Sequence, residues 1–448
     1  MSPILNIIIR NLDFSFMRRN DNVSIMEMLS DDFILLKLYS FRMHFLLADY
    51  RDHRIKKTYE TFKPSIWITI HSWTFILLIT SIVIWPENDF IMDCKFYEQM
   101  LNVQRFDLII VELIVLSLIE EWLWLFFLKE ATTYSCNFLD FLAHELPVYE
   151  TRIDLKMKRY LIRYHSFTKF ITTFIYSTVI LWSMFLCILL LYSIFFSYLD
   201  DNIYFIQFIT SIPISILICT NIIYMSGQFF ISGTFFLFFL ILFREKIKQL
   251  KNLSSTLLQY HANVSQYIVK RIFWNQFYFE YIILYGKISR LNESAKVILL
   301  AMEMIAKSAI MMSCVFYSQQ IKMVESNIFL VAILIIVFLY INIMYLRISI
   351  LPTYNEQCLQ SILRWLIRSQ WRERFSVVQP KQSTFHDHIV QRIHWRQTLK
   401  SNLFIQAMAN NRLGFTCGHM FHINKYKFTE LILLNIPFVL MLYKHVSR

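Results

Sequence analysis

The stretch IYFIQFITSIPISILICTNIIYMSGQFFISGTFFLFFLILF, Ile203 to Phe243, decides the fold. As one helix it would run roughly 60 Å, about twice the thickness of a bilayer's hydrocarbon core. It crosses a membrane either once or twice, and the parity of everything downstream hangs on which. The flanking charges separate the two readings, because Lys and Arg collect on the cytosolic side. Ahead of the first apolar run stand Arg51, Arg54, Lys56, Lys57 and Lys63; after it come Glu87, Asp89, Asp93 and Glu98 against Lys95 and Arg105. The next connection is basic, with Arg152, Lys156, Lys158, Arg159, Arg163 and Lys169; the one after it holds Asp200 and Asp201, and Phe243 is followed by Arg244, Lys246, Lys248 and Lys251. Two crossings would put that last basic group outside. One crossing, about Thr220 to Phe243, keeps it inside and leaves an apolar extracellular or partly re-entrant piece before it, broken at Pro213.

Other runs near 20 apolar residues are Ser65–Trp85, Phe106–Leu128, Phe170–Tyr198, Val297–Tyr317, Ile328–Leu346 and a last region up to Tyr443. With 56% hydrophobic and 17% aromatic residues among 448, and a mean hydropathy of +0.45, the chain carries more apolar surface than a soluble domain of its size buries. The expected fold is therefore an all-α membrane protein of seven transmembrane helices, with a cytosolic N-terminus, an extracellular C-terminus and a multi-pass place in the plasma membrane. The net charge of +12 reads through its position beside the bilayer, so no nucleic-acid partner is expected. Cys94, Cys136, Cys187, Cys219, Cys314, Cys358 and Cys417 are too scattered for a disulfide framework. No cleavable leader pattern stands at the start, so the first span is expected to insert by itself. The Asn-x-Ser sequons at Asn22, Asn252, Asn263 and Asn292 all fall in the cytosol on this topology, where they stay unglycosylated.

Four regions follow: 1–64, a cytosolic N-terminal segment; 65–346, helices one to six with cytosolic extensions; 347–402, a cytosolic helical connection; and 403–448, the seventh transmembrane region. The connections 244–296 and 347–402 are far longer than turns. Leu250, Leu253, Leu257, Leu258 and Tyr260, then Ile268, Ile272 and Phe273, recur at helical spacing, so membrane helices are expected to run on into the cytosol as an amphipathic bundle.

The segment GHMFHINKYKFTELILLNIPFVLMLYKH, Gly418 to His445, resembles the C-terminal signature of the insect gustatory and odorant receptor superfamily, in its gustatory-like form. Gly418, Phe421, Ile423 and Asn424 stand in register with that signature. The same spacing puts Pro437 and Phe438 where the family has Thr-Tyr, and Lys444 and His445 where it has Gln-Phe or Gln-Leu. ILFREKIKQLKNLSSTL and GKISRLNESAKVILL resemble the family's fourth span running into the cytosol and its entry to the fifth. The resemblance implies a homo- or hetero-tetrameric, ligand-gated, cation-permeable channel with four copies of the last span around a pore. It also implies small-molecule ligands bound among the outer halves of the other spans. The family's apolar constriction maps to Met441 and His445.

Leu434, Pro437, Met441, Lys444 and His445 share one helical stripe. If Met441 lines a pore, two basic residues stand at its mouth, where four lysines repel cations unless they snorkel into water. An interfacial lysine and histidine that anchor the helix end are the plainer reading. Glu303 and Lys307, four apart with the acid first, have the spacing of a structural ion pair. Glu112 in the second span is a candidate polar contact in a ligand pocket, with Trp182, Tyr192 and Tyr224 as aromatic walls. No metal site is expected at His386, His388 and His394 or at Cys417, His419 and His422, and neither catalytic residues nor a cofactor are expected. Two function classes remain: a chemosensory channel subunit, and a non-conducting membrane protein of the same fold acting as scaffold or partner subunit. A secondary transporter is weaker, because paired halves with broken helices are lacking.

Overall fold

The computed structural model describes residues 24–40, 45–55, 59–84, 105–151, 153–199, 204–259, 265–319, 325–377 and 385–446. Asn22, Lys56, Lys57, Glu87, Asp89, Asp93, Cys94, Lys95, Glu98, Arg152, Asp200, Asp201, Tyr260 and Asn263 lie outside them. So do the side chains of Lys63, Leu257, Leu258, Ile268, Ile272, Phe273, His386, His388, His394, Phe438 and His445. Nearly all described residues are helical: α1 (Ile25–Ser40), α2 (Leu47–Arg51), α3 (Tyr59–Ile84), α4 (Phe106–Thr132), α5 (Asn137–Asp140), a π-turn (Phe141–Glu145), α6 (Leu146–Glu150), α7 (Leu155–Leu199), α8 (Phe205–Gln259), α9 (Ser265–Gln319), α10 (Glu325–Val377), α11 (Phe385–Asn410) and α12 (Lys425–Val446). The exception is the antiparallel pair β1 (Thr416–Cys417) and β2 (Phe421–His422). Helices α3, α7, α8, α9 and α10 are each long and apolar enough to cross a membrane. The other two expected spans fall in α4 and α12, helical over 27 and 22 residues.

Two compact units emerge: residues 1–239, 297–342 and 432–448 form one, and residues 240–296 and 343–431 the other. In the first unit, Phe75, Ile76, Ile79 and Ile82 of α3 pack with Ile110 of α4 and with Ile214 and Ile218 of α8. Leu190 and Ile194 of α7 meet Cys219 of α8, and Phe316 of α9 meets Val331 of α10. In the second unit, Trp274 of α9 stacks on Trp365 of α10 at 5.1 Å and meets Phe404 of α11 edge-on at 5.7 Å. Leu250 is buried there too, as its helical spacing implies.

One expectation is overturned. Helix α8 runs unbroken for 55 residues with Pro213 inside it, so the apolar stretch before Thr220 is neither a re-entrant piece nor a break. Having no turn, the helix crosses at most once. Pro213 removes a single N–H near the start of the helix, while Thr210, Ser211 and Ser215 return their hydroxyls to backbone carbonyls around it (3.0, 2.7 and 2.9 Å). In an apolar surrounding no other arrangement of this backbone leaves fewer groups unpaired, so the helix holds. From Thr234 to Phe243 every residue is buried, as a helix that is apolar on all sides requires.

Buried charge fixes α1 to the first unit. Glu150, after the π-turn, accepts Ile25 N–H (2.9 Å) and the Ser24 hydroxyl (2.9 Å) at the start of α1 and is paired with Lys158 (2.8 Å). On the same helix Asp32 accepts from His165 and pairs with Lys169 (2.6 Å), while Phe238 sits edge-on to the His165 ring. Burial pushes the Asp32 carboxyl up, but the charges and hydrogen bonds of His165 and Lys169 outweigh it and hold it below its usual 3.8.

Two outcomes follow from this packing. A Cβ at Gly233 would stand 2.8 Å from Tyr340 Cε1, whereas one at Gly286 meets nothing within 4 Å. Gly233→Val should therefore lower stability by about 1–3 kcal/mol. Gly286→Ala should raise it by up to about 1 kcal/mol through helix propensity alone, both read as thermal shifts of the solubilised protein. Because the folded pKa of Asp32 is depressed, its contribution is present above its unfolded value and disappears as pH falls through the folded one. Hydrogen exchange across α1 should stay slow from neutral pH down to about 4 and quicken below it, and Asp32→Asn should abolish that acid step.

Candidate functional site

The four signature residues all lie in the short element that launches α12. Gly418 occupies the hairpin turn at φ 57°, a left-handed conformation that glycine adopts without strain. Its N–H donates to Lys296 O (2.8 Å) on α9, and Met420 N–H closes the turn on Cys417 O (3.2 Å). Phe421 pairs with Cys417 across the two strands. Ile423 is fully buried, and its N–H donates to Phe415 O (3.0 Å). Asn424 then caps α12, its Oδ1 accepting Lys427 N–H at 2.8 Å. From α9, Asn292 grips the hairpin: its Oδ1 accepts Thr416 N–H (2.8 Å) and its Nδ2 donates to Thr416 Oγ1 (3.2 Å). That sequon asparagine is thus committed to the fold. Turn, strand, core anchor and helix cap therefore follow one another within seven residues.

Helix α12 itself is largely bare. Leu431 and Asn435 are buried, whereas Leu433, Leu434, Ile436, Pro437, Leu440, Met441 and Lys444 are exposed, Met441 at 68%. The stripe of Leu434, Pro437, Met441 and Lys444 is open along its length, and the His445 side chain lies outside those described. Pro437 leaves the helix continuous to Val446.

Polar groups inside the first unit divide into three places. Glu112 on α4 is 3% exposed, and neither carboxylate oxygen is hydrogen bonded among the described residues; Ser308 of α9 lies beside it, but its hydroxyl donates to Ile305 O (3.1 Å). Immediately before Ser308 on α9, Lys307 forms the expected ion pair with Glu303 at 3.2 Å. On another face of α4, Ser117 accepts from Asn221 of α8 (3.0 Å) and donates to Met225 Sδ (3.2 Å). Nearby on α8, Thr220 is hydrogen bonded to His71 of α3 (2.9 Å), whose ring meets Tyr224 edge-on at 5.5 Å. Of the expected pocket residues, Glu112 thus faces α9, Tyr224 faces α3, Trp182 is half-buried on α7, and Tyr192 is exposed beside Phe196 of its own helix. Glu112 and Tyr224 lie towards different neighbours, and Tyr192 is on an outward face.

Sequence reading missed Asn221, His71 and the Asp32–His165–Lys169 cluster. His165 and Lys169, four apart just before an apolar run, carry a readable signal for a shared acidic partner. Nothing local marks Asp32 as that partner. Compared with protein-family models and with curated proteins, the sequence matches none.

The launch element yields a graded test. Asn424→Ala should cost about 1 kcal/mol of stability as a lost cap. Gly418→Ala should cost about 1–2 kcal/mol from its left-handed backbone. Asn292→Ala should add to the former, because it frees the hairpin that sets the helix start. Chemical denaturation followed by intrinsic fluorescence of the purified chain checks the order.

Proposed function

We propose that the chain is a chemosensory receptor subunit of the gustatory-receptor-like kind, a small-molecule-gated cation channel in the plasma membrane. On this reading α3, α4, α7, α8, α9, α10 and α12 make seven spans, the N-terminus lies in the cytosol and the C-terminus outside, and four subunits, identical or mixed, bring α12 together around a pore. The observation that carries the reading is the run Gly418 to Asn424, whose spacing resembles the family signature and which starts a helix with most of its apolar side chains uncovered in a single copy. Helices of 53–55 residues, longer than any bilayer needs, suit a fold whose spans continue as a cytosolic bundle. Met441 is then the apolar gate, closing by dewetting, and Glu112 is the polar group that a ligand would engage.

Lys444 favours a second reading. An exposed lysine at the end of a stripe of four symmetry-related copies opposes cation flow, so the same fold serves equally as a non-conducting partner subunit.

Epitope tags on both ends of the chain in unpermeabilised cells come first: a surface-labelled tail with a hidden head is expected, and the reverse ends the proposal. Whole-cell current is then compared for the native chain and for Lys444→Gln with His445→Phe, expressed alone and with other subunits of the same fold. Current from the native chain that a cationic thiol reagent blocks after Met441→Cys supports the channel. Current only from the altered ending supports the partner subunit.

A further inference from the structure

The six basic residues around the start of α7 do not share one fate. Lys158 is spent on Glu150 and Lys169 on Asp32, both inside the first unit, and Arg152 lies outside the described residues. Lys156 and Arg163 instead point outward and, with exposed Arg159 and with Tyr160, Leu155 and Asp154, line an open trough of about 600 Å³. The lining holds three basic side chains and one carboxylate.

What continues this face is apolar. Tyr160, Arg163, Phe167, Ile171 and Phe174 succeed each other at three- and four-residue steps, so they stand one above another on the helix. Phe167, Ile171 and Phe174 are 51%, 38% and 58% exposed, and the same outward side goes on through Leu181, Phe185 and Ile188. A single stripe thus passes from cations, through a tyrosine, into uncovered hydrocarbon-like surface on a helix long and apolar enough to cross a membrane. Tyrosine marks the polar boundary of a bilayer, and long basic side chains beside it reach into the headgroup layer. Lys156 to Arg163 spans about 10 Å of axis, within reach of one headgroup for side chains of that length.

We propose that this trough binds the headgroup of an anionic phospholipid, with the phosphate between Lys156 and Arg163 and the acyl chains lying along Phe167, Ile171 and Phe174. Charge complementarity selects the head, and the apolar continuation selects a lipid over a soluble phosphate. The site depends neither on the pore reading nor on the direction in which the chain threads the membrane. It gives the chain a means of sensing the composition of the leaflet at the basic end of α7.

The full chain, purified in detergent, is mixed with equal amounts of phosphatidylserine and phosphatidylcholine, and native mass spectrometry counts the lipids each molecule retains. Phosphatidylserine should be enriched in the native chain. Lys156→Gln and Arg163→Gln should each cut that enrichment about fivefold, while Arg368→Gln with Lys400→Gln, two exposed basic residues of the second unit, should leave it unchanged. No enrichment in the native chain, or enrichment that survives in the Lys156→Gln, Arg163→Gln double variant with native circular dichroism, overturns the proposal. Displacement of the lipid by soluble glycerol 3-phosphate at equal concentration overturns it as well, because the apolar stripe would then contribute nothing.

Discussion

Hydrocarbon offers no hydrogen-bond partner to a bare N–H or C=O, and with five helices long and apolar enough to cross a membrane among the described residues, this is the first constraint on the fold. Helices that satisfy their own backbone are the economical answer, and here they are carried to 45–55 residues with few interruptions. Pro213 and Pro437 both lie inside helices. Each removes one donor, yet bending the chain back would expose several more. The same constraint accounts for the many Ser and Thr hydroxyls turned onto carbonyls three or four residues earlier: Thr168, Thr172, Thr210, Ser211, Ser215, Thr220 and Thr234 all make that bond. A hydroxyl placed among apolar neighbours without it would carry an unmet donor.

Charges obey a second version of the rule. Where an ionisable group is buried, it is mostly paired: Asp32 with His165 and Lys169, Glu303 with Lys307. Glu112 is the departure, a buried carboxylate with no hydrogen bond among the described residues, and that makes it the group most open to a change of partner. Basic residues that are not needed internally are left on outward faces, as Lys156 and Arg163 are on α7. One helix thus serves both uses of positive charge, separated by side: inward as structural counter-ions, outward towards whatever lies beyond the protein.

Helix content and the positions of the long apolar helices were legible in the sequence, because runs such as Phe170–Tyr198 leave few polar residues to misplace. The extension of α8 past Phe243 was legible for the same reason: Leu250 keeps the helical spacing and is buried. Pro213 was misread because a proline's local cost was weighed without the cost of the unpaired groups that a break would leave in an apolar medium. The β1–β2 pair went unseen, since two residues per strand give no alternation to detect. At the candidate site, Gly418 and Asn424 were found as members of a spacing pattern, and their physical tasks, a left-handed turn and a helix cap, are what residues of those types do. The grouping of Glu112 with Tyr192 and Tyr224 rested on depth in the membrane alone. Rotation about each helix axis is set by partners far away in sequence, and it turns Tyr192 outward and Tyr224 to His71.

The order of residues before α12 also constrains how this helix can act. Its first turn is capped by Asn424, its entry is anchored by buried Ile423, and the preceding hairpin is held from α9 by Asn292 and by the Lys296 carbonyl. The start of the helix is therefore fixed to a packed element. Beyond Leu431 only Asn435 is buried among the described side chains, while Pro437 has removed a backbone donor two residues later. From Ile432 on, the helix belongs to the first unit, where Asn435 is buried and Ile436, Leu440 and Met441 stand exposed. Ile436, Leu440 and Met441 therefore form the apolar face of this helix that its own chain leaves uncovered, the kind of surface that lipid or another protein surface would bury.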